Sequence, residues 1–146
     1  MNHKLLLYFA ILLTFSGIHC HSVDKFPGQF KGDQLHFGQG GGFSGILNYF
    51  VLLKDGRLFK KDYRDSTFTF QTKWAKPFVD QMFTNYKELG LDRVDHYQPG
   101  DLYYFIEYHQ SGMPVHRIAW GRPGFKPEDN TVIFYNLLYR STKSKS

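Results

Sequence analysis

The chain has one cysteine, Cys20, so no disulfide can form within it and stability has to come from a packed interior. It has no apolar run of the roughly 20 residues that a membrane-spanning helix needs. The longest, Leu5 to Leu13, is nine residues. Charge of one sign is also scarce. Without Lys4 the balance is 17 basic to 13 acidic residues, a net +4, too weak and too dispersed for a nucleic-acid surface. No glycine precedes Lys-Ser or Lys-Thr, so a Walker phosphate loop is excluded. His36, His96, His109 and His116 form no close ligand pair of the H-x-H or H-E-x-x-H kind, and no metal or cofactor is expected. No serine sits in G-x-S-x-G, because "GGFSG" puts Phe43 where a glycine belongs.

Aromatics are what the chain has in quantity: fifteen Phe, ten Tyr and two Trp. They bury large areas and favour strands, and a chain of this length can form one domain around them. The start, "MNHKLLLYFAILLTFSGIHC", has a basic residue, a short apolar core and then small and polar residues. This is the build of an export signal over residues 1–20. Cys20 stands where a lipoprotein signal places its lipid-bearing residue, although His19 is bulky for the position before the scissile bond. Cleavage after Ser16 or after Cys20 would give simple secretion instead. The chain is therefore expected outside the cytoplasm, anchored through a lipid on Cys20 or secreted. Residues 21–33 read as a tether, 34–140 as one domain and 141–146 as a polar tail.

"DQLHF" reads as a short first strand. "GILNYFVLLKDGRLFKK" has two apolar runs around Asp55-Gly56, which predicts a hairpin of strands 45–54 and 57–62. "STFTFQT" alternates and reads as extended. Trp74, Phe78, Met82, Tyr86 and Leu89 recur at helical spacing, with Pro77 in the first turn and Gly90 as the stop. "DLYYFIEYHQ" and "PVHRIAW" flank Ser111-Gly112 as a second hairpin. A last helix opens after Pro127, with Ile133, Phe134, Leu137 and Leu138 as its apolar side. The expected fold is α+β: an antiparallel sheet of four to five strands with two helices on one face, in ββ(β)αββα order.

"FGQGGGFSG" holds five glycines in nine residues. Gly40, Gly42 and Gly45 match G-x-G-x-x-G in letters, but a strand follows where a dinucleotide fold needs a helix, so no nucleotide is expected. Two readings remain: a tightly folded loop feeding a strand, or a binding loop at Gly40, Gly41, Gly42, Phe43 and Ser44. For catalysis the candidates are Glu107, His109 and His116. A carboxylate among aromatic neighbours would have a raised pKa and could act as an acid. A basic cluster, Lys54, Arg57, Lys60, Lys61 and Arg64, is interleaved with Phe59 and Tyr63. It reads as a charged hairpin end that discourages edge pairing, or as a contact for anionic lipid, glycan or an acidic protein face.

Together, "HFGQGGGFSGILNYFVLLKDGRLFKK" and "PGDLYYFIEY…HRIAWG" resemble a group of small, uncharacterised envelope lipoproteins of Gram-negative bacteria. These carry a lipid-type signal, an FGxGGGFSG-like segment, a hairpin, a helix and a PGxxYYFIE…WG hairpin. The resemblance covers residues 36–121 and implies an envelope location without implying an activity. A shorter similarity, through Gly41, Gly42, Phe43, Gly45 and the Asp55-Gly56 hairpin, is to emfourin-type proteinaceous inhibitors of metalloproteases. It implies a mixed sheet-and-helix fold and no particular inhibitory residue. The expected function is a non-enzymatic binding domain with a protein partner in the envelope, one form of which is a protease inhibitor. The alternatives are a small hydrolase acting on an envelope polymer and a structural component of an envelope assembly.

Overall fold

A computed structural model describes residues 26–42, 45 and 47–143. Its strands are β1 (Gln34–Gly41), β2 (Asn48–Leu53), β3 (Arg57–Lys61), β4 (Phe68–Lys73), β5 (Tyr97–Gln98), β6 (Leu102–His109) and β7 (His116–Trp120). Its helices are α1 (Lys76–Glu88) and α2 (Asp129–Ser141). The strands form one sheet in the order β4-β3-β2-β1-β6-β7-β5. Every pairing is antiparallel except β5 with β7.

This corrects the expectation of a four- to five-stranded antiparallel sheet: there are seven strands and the sheet is mixed. The first reason lies in the glycines. The short strand expected at "DQLHF" runs on through them to Gly41 and becomes the centre of the sheet, paired with β2 on one side and β6 on the other. Gly38 makes that possible, because a Cβ there would lie 1.9 Å from the Asn48 carbonyl oxygen. Gly41 has φ +89° and would put a Cβ 1.8 Å from the Asp101 oxygen. Only a residue without a side chain fits either place. The second reason is β5, two residues in what reads as a connecting loop, held by pairing with β7 rather than by any local pattern.

The hairpin β2–β3 turns at Asp55 and Gly56. The Asp55 carboxylate accepts from the Arg57 backbone N–H at 3.1 Å and its Nε at 2.8 Å, which steadies the turn. Helix α1 has Pro77 in its first turn, where no intrahelical donor is needed. It buries Val79, Met82, Phe83 and Tyr86. Helix α2 buries Thr131, Phe134, Tyr135 and Leu138. Of the apolar side expected for it, Ile133 and Leu137 are exposed. The helix is turned so that Tyr135 packs edge-on to Trp120, with ring centroids 5.2 Å apart, and these rings decide which stripe faces the sheet.

Both helices cover one face of the sheet, meeting Leu35, Phe37, Leu52, Leu58, Ile106 and Ile118. The opposite face has no α-helix among the described residues, only the 3-10 turn Pro27–Gln29. It carries a small second core of Val51, Leu53 and Phe59, with Phe30 packed on it. The segment before β1 thus docks on the sheet, and Asp33 anchors it by accepting from the Tyr108 hydroxyl at 2.7 Å. Among the described residues no helix is long and apolar enough to cross a membrane.

Candidate functional site

Strand alternation sorts β6 into two sets: Ile106 and Tyr108 join the helix-covered core, while Glu107 and His109 lie on the helix-free face. The registers then bring polar side chains from neighbouring strands to Glu107. His36 of β1 is its cross-strand partner on one side and Arg117 of β7 on the other. Tyr49 reaches the same point from β2. Its ring leans on Phe105 at a centroid distance of 5.0 Å, across the space left by Gly38.

These five side chains form one network. The Tyr49 hydroxyl lies 2.7 Å from His36 Nδ1 and 3.2 Å from Glu107 Oε2. His109 Nε2 is 3.0 Å from the same carboxylate oxygen, and Arg117 Nε is 3.2 Å from the other, Oε1. The rings of His36 and His109 stack with centroids 3.7 Å apart. Gln34 completes the arrangement. Its amide nitrogen donates to the Pro27 and Phe30 carbonyls, so its oxygen is the atom that faces His36 Nε2 at 3.0 Å. His36 therefore carries its proton on Nε2 and presents a bare lone pair at Nδ1.

Burial sets the electrostatics. It pushes the His36 pKa down to about 3, helped by the adjacent His109 and by Lys61 and opposed by Glu107. Burial alone would raise the pKa of Glu107. The His109 hydrogen bond and the charges of Arg117 and the histidines outweigh it, and the carboxyl ends below its ordinary value. The raised pKa expected of a carboxylate among aromatics is not found, because cross-strand neighbours supply cations that the strand's own sequence does not show. The tyrosine of the cluster, Tyr49, is pushed up by burial and by Glu107.

The three catalytic candidates divide. Glu107 and His109 are together. His116 is on the other face, where its ring contacts the Tyr86 hydroxyl and the Val94 carbonyl oxygen. His36 stands in the place expected of His116. Sequence reasoning did not find His36, Tyr49 or Arg117 as members of the cluster. The one local clue is the spacing of Glu107 and His109, two apart on a strand and hence on one face. Of the glycine-segment candidates, Gly40 is crowded by the Tyr103 hydroxyl and Leu47, Gly41 by the Asp101 backbone, and Gly42 is open. Phe43, Ser44 and Cys20 lie outside the described residues.

No protein-family model matches the chain, and no curated protein matches it.

Proposed function

We propose that the chain is an exported, non-enzymatic binding domain that meets an acidic protein partner of the envelope through the β3–β4 hairpin. The main support is the composition of that hairpin's surface. Tyr63 and Phe70 are each about half exposed, at 50% and 53%. Arg64 is exposed against Tyr63, Lys61 is partly exposed on the same sheet face as Phe70, and Lys60 is exposed on the other face of the hairpin. Among the described residues, no ion pair engages the side chains of Lys60, Lys61 or Arg64. A hairpin that carries half-exposed aromatic rings and cations without ion-pair partners has the composition of an interface for an anionic surface: rings supply buried area and the cations supply steering.

An enzymatic reading has less support. Glu107 is engaged on both carboxylate oxygens and ionised, which suits neither a proton donor nor a free base. Site-specific photo-crosslinking in cells tests the binding reading. A crosslinking residue at Phe70 is expected to capture one envelope protein, and the double variant Lys60→Glu, Lys61→Glu to abolish the adduct. The same probe at Ile133, exposed on α2, is the control. Equal capture from both positions, or an adduct that survives charge reversal, would remove the proposal.

A further inference from the structure

On the helix-free face two acceptors meet at one hydroxyl proton. Gln34 fixes the His36 proton on Nε2, leaving Nδ1 bare. His36 Nδ1 and Glu107 Oε2 both face the Tyr49 hydroxyl, which has one proton to give. Whichever acceptor takes it, the other is left facing the tyrosine oxygen's lone pairs. His109 Nε2 donates to the same carboxylate oxygen as placed, and it offers a lone pair once its proton moves to Nδ1; a neutral imidazole, an ionised carboxylate and a second imidazole are then a donor set that binds a divalent cation.

We infer that His36 Nδ1, Glu107 Oε2 and His109 Nε2 form a binding site for a divalent first-row transition-metal ion, of which Zn2+ is the working probe. One ligand atom from each of the three residues lies within 4.8 Å of the others. Bonds of about 2.0–2.1 Å around a tetrahedral ion put ligand atoms roughly 3.3 Å apart. The carboxylate–His109 separation, 3.0 Å, and the carboxylate–His36 separation, 3.8 Å, bracket that figure. The surroundings also fit. His36 donates its other N–H to an amide oxygen held in place by two backbone carbonyls, and Arg117 orients the carboxylate through its second oxygen, as metal ligands are commonly supported. One rearrangement is required. Stacked rings send their lone pairs side by side, so one imidazole has to swing for both to converge. His109 is the one with room, its side chain 30% exposed against 10% for His36.

None of the three ligands belongs to the β3–β4 hairpin, although Lys61 of that hairpin lies over the Tyr49 ring. The test uses the full chain, stripped with a chelator and titrated with Zn2+ against a chromophoric competitor. Co2+ substitution then reads the ligand field. One saturable equivalent is expected. His109→Ala should weaken Zn2+ binding at least tenfold and erase the cobalt spectrum. Gln34→Ala, which leaves all three ligands in place, should weaken it by about tenfold while keeping the one-to-one stoichiometry. His36→Ala should abolish binding; if that variant does not fold, the two others decide. Zn2+ binding that His109→Ala leaves unchanged would place the ion on other histidines and overturn the inference, as would the absence of saturable binding in the parent chain.

Discussion

Replacing single glycines by alanine separates two reasons for glycine, and three positions isolate them. At Gly42 φ is +77° and nothing lies within 4 Å of an added Cβ, so only the left-handed backbone is penalised. That costs an L-residue about 1 kcal/mol. At Gly38 φ is not in that region, but a Cβ would sit 1.9 Å from the Asn48 oxygen and 3.2 Å from Phe105 Cε1. The obstacle at 1.9 Å is backbone of the neighbouring strand, so relief means moving β1 away from β2 by more than about 1 Å in the middle of the sheet. Overpacking of that kind costs about 1–3 kcal/mol, and each ladder hydrogen bond lost adds about 1. Gly38→Ala is therefore expected to cost about 3 kcal/mol, a fall in Tm near 12 °C at about 4 °C per kcal/mol. Gly28 has open space and an ordinary φ, so Gly28→Ala should be neutral or stabilise by about 0.5 kcal/mol through the unfolded chain. Urea unfolding followed by the fluorescence of Trp74 and Trp120, both buried, measures all three. If Gly38→Ala costs no more than Gly42→Ala, close strand approach is not the reason for glycine in β1.

On α2, Leu138→Ala should cost about 3 kcal/mol because Leu138 is fully buried, while Ile133→Ala, 62% exposed, should stay within about 0.5. Equal costs in the same urea assay would mean that the helix is turned otherwise. Burial raises the pKa of Tyr86, Tyr108 and Tyr135 above the ordinary 10.0. The unfolded chain then releases these protons first, so the stability they contribute is full below pH 10 and is lost as pH rises above it. Ultraviolet titration should show tyrosines that stay protonated past pH 10 until the chain unfolds; if all tyrosines ionise together near pH 10 with the fold intact, that account of the core is refuted.

Local chemistry marked the elements whose causes are local. The Asp55-Gly56 turn joins β2 and β3, and α1 lies between Pro77 in its first turn and Gly90 just beyond its end. The alternation of β6 separated Glu107 and His109 from Ile106 and Tyr108. What failed depended on distant pairing. A glycine run looks like a loop in isolation, and only the backbones of β2 and β6 on either side explain why it is extended. The two residues of β5 have no pattern long enough to read. Ile133 and Leu137 satisfied a helical stripe as well as Tyr135 did, and the choice was made by Trp120, whose place the helix's own sequence does not contain.

The same distance in sequence hides the polar cluster. His36 and Glu107 are 71 positions apart, and they meet because β1 pairs with β6 rather than with β2 alone. Gly38 links that pairing to the chemistry. With no side chain between them, Tyr49 and Phe105 touch across it, and the tyrosine hydroxyl is thereby delivered to both His36 and Glu107. Placing an ionised carboxylate where it is only 8% exposed costs solvation that a hydrophobic residue in its place would not. Val51, Ala119 and Phe105 show that this face can be packed with apolar groups. A stability role alone therefore does not account for five converging polar side chains there, whereas a bound cation facing His36 Nδ1 and Glu107 Oε2 would offset the cost of burying them.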